Sequence, residues 1–153
     1  MTEKNQTVIV PSFSVDHRAL KAGLYLREDR TDLPIRVWDL RFKAPADKKY
    51  LTIKALHSIE HLFALKLREV FGSDYVAVMV YGCRTGFGLI TKNNIELAVL
   101  RQAVIDVIGR TVPISCKSDI PCLTELECGN PYSYSISETN AALREYCEVL
   151  KKQ

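Results

Sequence analysis

The sequence predicts an α+β fold, an antiparallel sheet with helices packed on it, and three observations predict it. Residues 35–42, IRVWDLRF, alternate with the period of two of a strand. Residues 55–71 and 94–108 carry apolar side chains at the period of 3.6 of a helix, and each run stops at a glycine, Gly72 and Gly109. Strand-like and helix-like runs then alternate with short turn-like connections, which suits helices on a sheet better than a helical bundle.

Taken in order, TVIVPSFSVDH (7–17) is β-branched but interrupted by Pro11, so it reads as an edge strand or extended arm. In 35–42, Ile35, Val37, Asp39 and Arg41 share one face, which therefore ends in charge, and Arg36, Trp38, Leu40 and Phe42 share the other. Ala46 to Tyr50 is a polar loop ahead of the first helix, whose core stripe is Leu56, Ile59, Phe63, Leu67 and Val70. YVAVMVY (75–81) reads as a buried strand, GCRTG (82–86) as a turn and FGLI (87–90) as its hairpin partner. Asn93 or Asn94 is placed to cap the second helix. CLTELEC (122–128) reads as a short extended piece ended by Gly129-Asn130-Pro131, and Ser137 as the cap of a last helix to about Val149.

A chain of 153 residues is expected to form one domain, 1–153, with a real core. The net charge of +3 is spread thinly, with Lys48-Lys49 and Lys151-Lys152 the only adjacent basic pairs, so no nucleic-acid partner is expected. The longest apolar run, Tyr75 to Tyr81, falls far short of the roughly 20 residues of a membrane span, so no membrane partner is expected either. MTEKNQTVIVPSF shows no basic segment followed by an apolar block, and the five cysteines are an odd number, so a cytoplasmic protein with reduced thiols is the expectation.

HSIEH (57–61) is the most informative stretch. At about 100° per residue, His57 and His61 lie about 40° apart on a helix, with Glu60 about 60° to the other side of His57. The two imidazoles sit beside the core stripe and suit convergence on one divalent cation, although unrelated buried and exposed histidines give the same letters. A catalytic site needs a third protein ligand and an open position. A downstream carboxylate would make the chain an HxxEH-type metallohydrolase with the glutamate as base, whereas a thiolate would point to Cys128, at the Gly-Asn-Pro breaker. Cys83, between Gly82 and Gly86, is either a presented acid or base, its thiol pKa lowered by Arg84 or a metal, or a free thiol in a hairpin turn. Cys116, Cys122 and Cys147 read as packing residues.

Together SFSVDH (12–17), DLRF (39–42), LHSIEHLFA (56–64), GCRTGF (82–87) and ECGN (127–130) resemble one family, the S-ribosylhomocysteine lyases known as LuxS, in the family's order and with similar gaps. The resemblance implies a LuxS- and metalloprotease-like fold. It implies that His57, His61 and Cys128 bind one divalent metal per subunit, natively Fe(II) and often Zn(II), and that Cys83 and Glu60 transfer protons. Ser12, His17 and Arg41 would contact the small-molecule substrate, with Arg84 beside them. The implied reaction cleaves S-ribosylhomocysteine to homocysteine and 4,5-dihydroxy-2,3-pentanedione, the autoinducer-2 precursor, in a homodimer whose sites are shared between subunits. The chain departs from the family's D-x-S-P-x-G-C stretch: Ala77 stands where a substrate-contacting aspartate is usual, and Met79-Val80 where Ser-Pro is usual. The usual HGD before DLRF is missing, Lys43 follows the motif, and Gly88 replaces an aromatic residue. The metal and proton-transfer positions are intact, so altered affinity or substrate preference is the expectation, with a non-catalytic relative that binds a metabolite as the alternative.

Overall fold

A computed structural model describes residues 10, 11, 14–30, 32–92 and 94–153. Along them run β1 (Gly23–Arg30), β2 (Ile35–Arg41), α1 (Ile53–Phe71), β3 (Tyr75–Val80), β4 (Gly86–Lys92), α2 (Leu97–Thr111) and α3 (Ile136–Lys151). The strands form one antiparallel sheet in the order β1-β2-β4-β3, and the helices pack on it.

The alternation of β2 decides which face the helices cover. Trp38, Leu40 and the following Phe42 point into the core, and the register sets Leu40 between Leu24 and Phe87 and Trp38 opposite Leu89. Trp38 Nε1 donates to Thr91 Oγ1 at 2.8 Å, so the largest buried side chain also has its polar atom satisfied. Phe42 stacks on Tyr146 of α3 with ring centroids 3.9 Å apart. α1 supplies Leu56, Ile59, Leu62, Phe63 and Leu67 to the same hydrophobic cluster, and α2 supplies Leu100, Val104, Val107 and Ile108.

Several elements differ from the sequence reading. β1 has no counterpart in it, because only the Gly23–Leu24 end of this strand is buried while its charged end is solvated. β3 is not a buried strand: it is an edge strand, and Val76, Met79 and Val80 are exposed. Val70, assigned to the core stripe, is exposed, and Leu62 takes part in the core. α2 is capped at Glu96 and begins at Leu97; Asn93 lies outside the described residues, and Asn94 instead donates to Asp74 at 2.8 Å. Gly109 does not stop this helix, which runs on to Thr111 and ends where Val112 turns into the extended region. Ser135, not Ser137, caps α3, accepting from the Glu138 N–H. Residues 122–128 are successive turns rather than an extended piece, with the Cys128 N–H donating to the Thr124 carbonyl at 2.9 Å. Of the proposed edge strand or arm at 7–17, residues 7–9, 12 and 13 lie outside the described residues, and 10, 11 and 14–17 form no strand.

Gly86 pairs with Arg41 so closely that a Cβ there would stand 2.2 Å from the Leu40 carbonyl oxygen, a rigid backbone atom. Gly86→Ala is therefore expected to fall at the top of the roughly 1–3 kcal/mol that overpacking costs, read as a lower urea midpoint.

Candidate metal centre

The site begins with the cap of α1. Thr52 Oγ1 accepts from the Ala55 N–H at 3.1 Å, which starts the helix and fixes its phase. With Leu56, Ile59 and Phe63 buried, His57 and His61 emerge half-buried at the margin of the stripe. Each ring is then oriented by a backbone carbonyl from a loop beyond the helix. His57 Nδ1 lies 2.7 Å from the Ser133 oxygen, and His61 Nδ1 lies 2.9 Å from the Pro121 oxygen. A carbonyl only accepts, so both Nδ1 atoms carry the proton and both Nε2 atoms present lone pairs.

Those lone pairs converge. The two Nε2 atoms are 3.1 Å apart, with the rings near-perpendicular at 89°, and Cys128 Sγ lies 3.3 Å from His57 Nε2. All three donor atoms lie within 4.8 Å of one another. Two neutral imidazole lone pairs at this separation repel unless a cation sits between them, and a soft thiolate beside two borderline nitrogens suits Fe(II) or Zn(II). The carbonyl bonds behind both rings are the outer-shell support that metal-binding histidines ordinarily have. Cys128 is carried there by the 124–128 turn, and the Asn130 N–H points at its sulfur at 3.4 Å. Among the described residues the third donor is thus a sulfur, and no carboxylate joins the group. An open groove of about 550 Å³ runs past the donors and is also lined by Glu60, Cys122, Glu127 and Gly129. The three-donor set leaves room for a ligand from this side.

Cys83 stands in the β3–β4 turn, held by the Arg84 N–H to the Tyr81 carbonyl at 2.8 Å and the Tyr81 N–H to the Gly86 carbonyl at 3.0 Å. Its thiol is exposed and lies 3.0 Å from Thr85 Oγ1. Partial burial pushes the thiol pKa up, but the Thr85 hydroxyl and N–H and the positive charge of Arg41 outweigh it, and the net shift is downward. The cation responsible is Arg41. Arg84, expected in that role, takes a positive φ of 60° and lies over the Tyr50 ring at 5.5 Å. Arg41 is itself buried, donating to Thr85 Oγ1 at 2.5 Å and to Asp39 Oδ2 at 2.8 Å, with Tyr81 over its guanidinium at 4.8 Å. Burial, helped by the Asp39 charge, pushes the Tyr81 phenol up to about 12. Met79 and Tyr81 occupy the space above Gly88, where a Cβ would stand 3.2 Å from Met79 Cε and 3.3 Å from the Tyr81 ring.

Within one chain the structure brings His57, His61 and Cys128 together with Glu60 on the same groove, and Arg41 together with Cys83. Cys83 lines neither groove beside the imidazoles, although Val80 of the same hairpin borders one of them. His17 is exposed and donates Nδ1–H to the Val15 carbonyl, with no hydrogen bond to the metal donors; Ser12 lies outside the described residues. Ala77 faces Ile90 across the β3–β4 pair and brings no carboxylate. Cys116 and Cys122 do not pack as expected: both are exposed, Cys122 on the wall of the metal groove, and only Cys147 is buried. Thr85 and Arg27, which donates to Asp39, are site residues that the sequence reading missed. Thr85 was findable inside GCRTGF; Arg27 gave no local signal.

Comparison with known proteins bears on the same residues. The S-ribosylhomocysteinase (LuxS) family matches residues 10–153. A protein of Enterococcus faecalis named S-ribosylhomocysteine lyase is 31% identical over 148 residues, covering 94% of this chain and 91% of the relative. Proteins of the same name from Borreliella afzelii, 31% identical over 92% of the chain and 91% of the relative, and Macrococcus caseolyticus, 32% identical over 89% and 84%, are also similar.

Proposed function

Because the chain belongs to the S-ribosylhomocysteinase (LuxS) family, we propose that His57, His61 and Cys128 hold the catalytic metal of a carbon–sulfur lyase that converts S-ribosylhomocysteine to homocysteine and 4,5-dihydroxy-2,3-pentanedione. The observation that carries this reading is the meeting of two Nε2 lone pairs and one sulfur, each ring turned by its own carbonyl. One divalent ion per subunit is implied, Fe(II) natively, with Zn(II) the alternative occupant, and the continuous hydrophobic cluster supports reading 1–153 as one lyase domain.

Breaking the bond between sulfur and ribose C5 by β-elimination needs a carbonyl at C3, so the open-chain aldehyde migrates from C1 through C2. The bound ion supplies Lewis-acid stabilisation of the negative charge that develops on the sugar's oxygens. Glu60, on the groove beside both imidazoles, takes a proton from carbon with its carboxylate and returns it one carbon away. Cys83 serves the other side of the sugar, its thiolate favoured by the Thr85 hydrogen bonds and the Arg41 charge and, once formed, able to accept a carbon-bound proton. Removal of the C4 proton then forms the C4–C5 double bond as C5–S breaks, the departing homocysteine sulfur takes up a proton, and the enol left behind tautomerises to the dione.

Arg41, Arg84, His17 and Ser12 are read as substrate contacts. The absence of Cys83 from the lining of the two grooves beside the imidazoles supports a homodimer in which each site draws on both subunits. Exposed Ile53, Val76, Met79 and Val80, apolar and close to the β3 edge, are the surface such a dimer would cover. Sedimentation is expected to give the mass of two chains; a monomer at micromolar concentration would remove the shared site. Among the described residues no helix is long and apolar enough to cross a membrane.

The test is thiol release from S-ribosylhomocysteine by the Fe(II)-loaded, anaerobically prepared protein. Homocysteine is the expected product. Binding of metal and substrate analogue without any thiol release would favour the non-catalytic relative, the reading that Ala77 motivates.

A further inference from the structure

The buried charges behind Cys83 do not cancel. β1 and β2 lose register between Leu26 and Glu28, so Arg27 is the extra residue of a bulge, a device that re-aims a side chain. Its guanidinium donates to Asp39 Oδ2, the same oxygen that Arg41 Nη2 reaches at 2.8 Å. The Asp39 side chain is fully buried, Arg27 is 12% exposed and Arg41 5%. Among the described residues Asp39 Oδ1 and Arg41 Nε, both buried, have no hydrogen-bond partner. Asp39 and Arg41 thus make one hydrogen bond where a bidentate fork is available to them.

We propose that Arg27 is a positioning residue for the Cys83 thiolate: by drawing Asp39 Oδ2 toward β1 it keeps the carboxylate from forking onto Arg41, whose charge stays turned to Thr85 and Cys83. Two guanidinium groups share one carboxylate, which leaves one net positive charge in a largely dry place where charge acts strongly. The remaining titratable groups facing the cluster are the phenols of Tyr25 on β1, Tyr81 in the turn and Tyr146 on α3. Burial raises all three above the ordinary phenol range, so they stay neutral while the thiol titrates. The path to sulfur is continuous. Arg41 Nη1 donates to Thr85 Oγ1, which leaves the hydroxyl proton free for Cys83 Sγ at 3.0 Å. Without Arg27 the fork closes through Nε and Nη2, Arg41 and Asp39 neutralise each other, and the thiolate loses its support.

This inference rests on reading Cys83 as the proton carrier of the lyase, and its test reads the thiol itself. Iodoacetamide alkylation of Cys83 in the zinc-loaded full chain is followed by mass spectrometry across pH, because only the thiolate reacts. Arg27→Gln is expected to raise the midpoint and slow alkylation at neutral pH about tenfold, the equivalent of one pKa unit. Arg27→Lys, which keeps the charge, restores most of the rate. Asp39→Asn frees both guanidinium charges and moves the midpoint the opposite way, down. Opposite signs are what a loss of folding or packing does not produce. A folded Arg27→Gln protein with the wild-type midpoint overturns the proposal. Should that variant not fold, an unchanged or raised midpoint in Asp39→Asn does so equally. Full thiol release alongside an unshifted midpoint would defeat this inference and leave the lyase reading standing; shifted midpoints without thiol release would do the reverse.

Discussion

Cys128→Ala is expected to lose both the metal and the lyase activity, with apo protein recovered after dialysis against an equimolar chelator that leaves wild type loaded. Removing the sulfur leaves two imidazoles 3.1 Å apart, and two donors from one helix do not make a closed ligand set. Loss of an outer-shell partner alone costs roughly 10–100-fold in metal affinity or activity, so loss of a direct ligand should exceed that. The variant also separates two chemistries. An HxxEH metallohydrolase with a carboxylate as third ligand would keep its metal here. Such retention, measured by elemental analysis, would sink the lyase arrangement. Its fold should be unaffected, since Cys128 lies in a turn and takes no part in the hydrophobic cluster.

The second large effect concerns Cys83. Cys83→Ala should lower kcat by about 10²–10⁴-fold, the range for a positioned acid or base, while the metal content stays at one per chain. Metal loss in this variant would instead make Cys83 a ligand. The pH dependence carries a sign that can be checked. Because the thiol sits below its ordinary range, the active thiolate is fully present above that lowered pKa and is lost as pH falls through it. The acid limb of kcat/KM therefore lies below the usual thiol range. Thr85→Val removes the hydroxyl 3.0 Å from Sγ and should move the limb upward. An unchanged limb would show that a different group controls it.

Local sequence was a good guide wherever one short stretch contained the whole cause. The phase of α1 follows from its apolar stripe, so the placement of His57, Glu60 and His61 beside the core could be read from 3.6-residue geometry. The β3 hairpin was legible from its turn residues, but not its exposure, because apolar content does not say whether a strand is central or at an edge. β1 was invisible for the opposite reason: it is held in the sheet by pairing with β2, while its own side chains past Leu24 look like a loop's. The role given to Arg84 failed on the same ground, since the residue next in sequence to Cys83 points to Tyr50 while Arg41, 42 positions earlier, is bonded to Thr85.

By itself the sequence determined the donor chemistry: two imidazoles at i and i+4, a sulfur at a chain breaker, a thiol in a glycine-flanked turn, and the family order of these pieces. Only the tertiary structure brought the Cys128 sulfur to the two imidazoles, turned one nitrogen of each ring toward it, and set Arg41 rather than Arg84 toward Cys83. The physical reason is range. Helical phase is set by neighbours within a turn, whereas the carbonyls of Pro121 and Ser133 and the charges of Arg27, Asp39 and Arg41 reach the site only after the sheet and loops have closed around it.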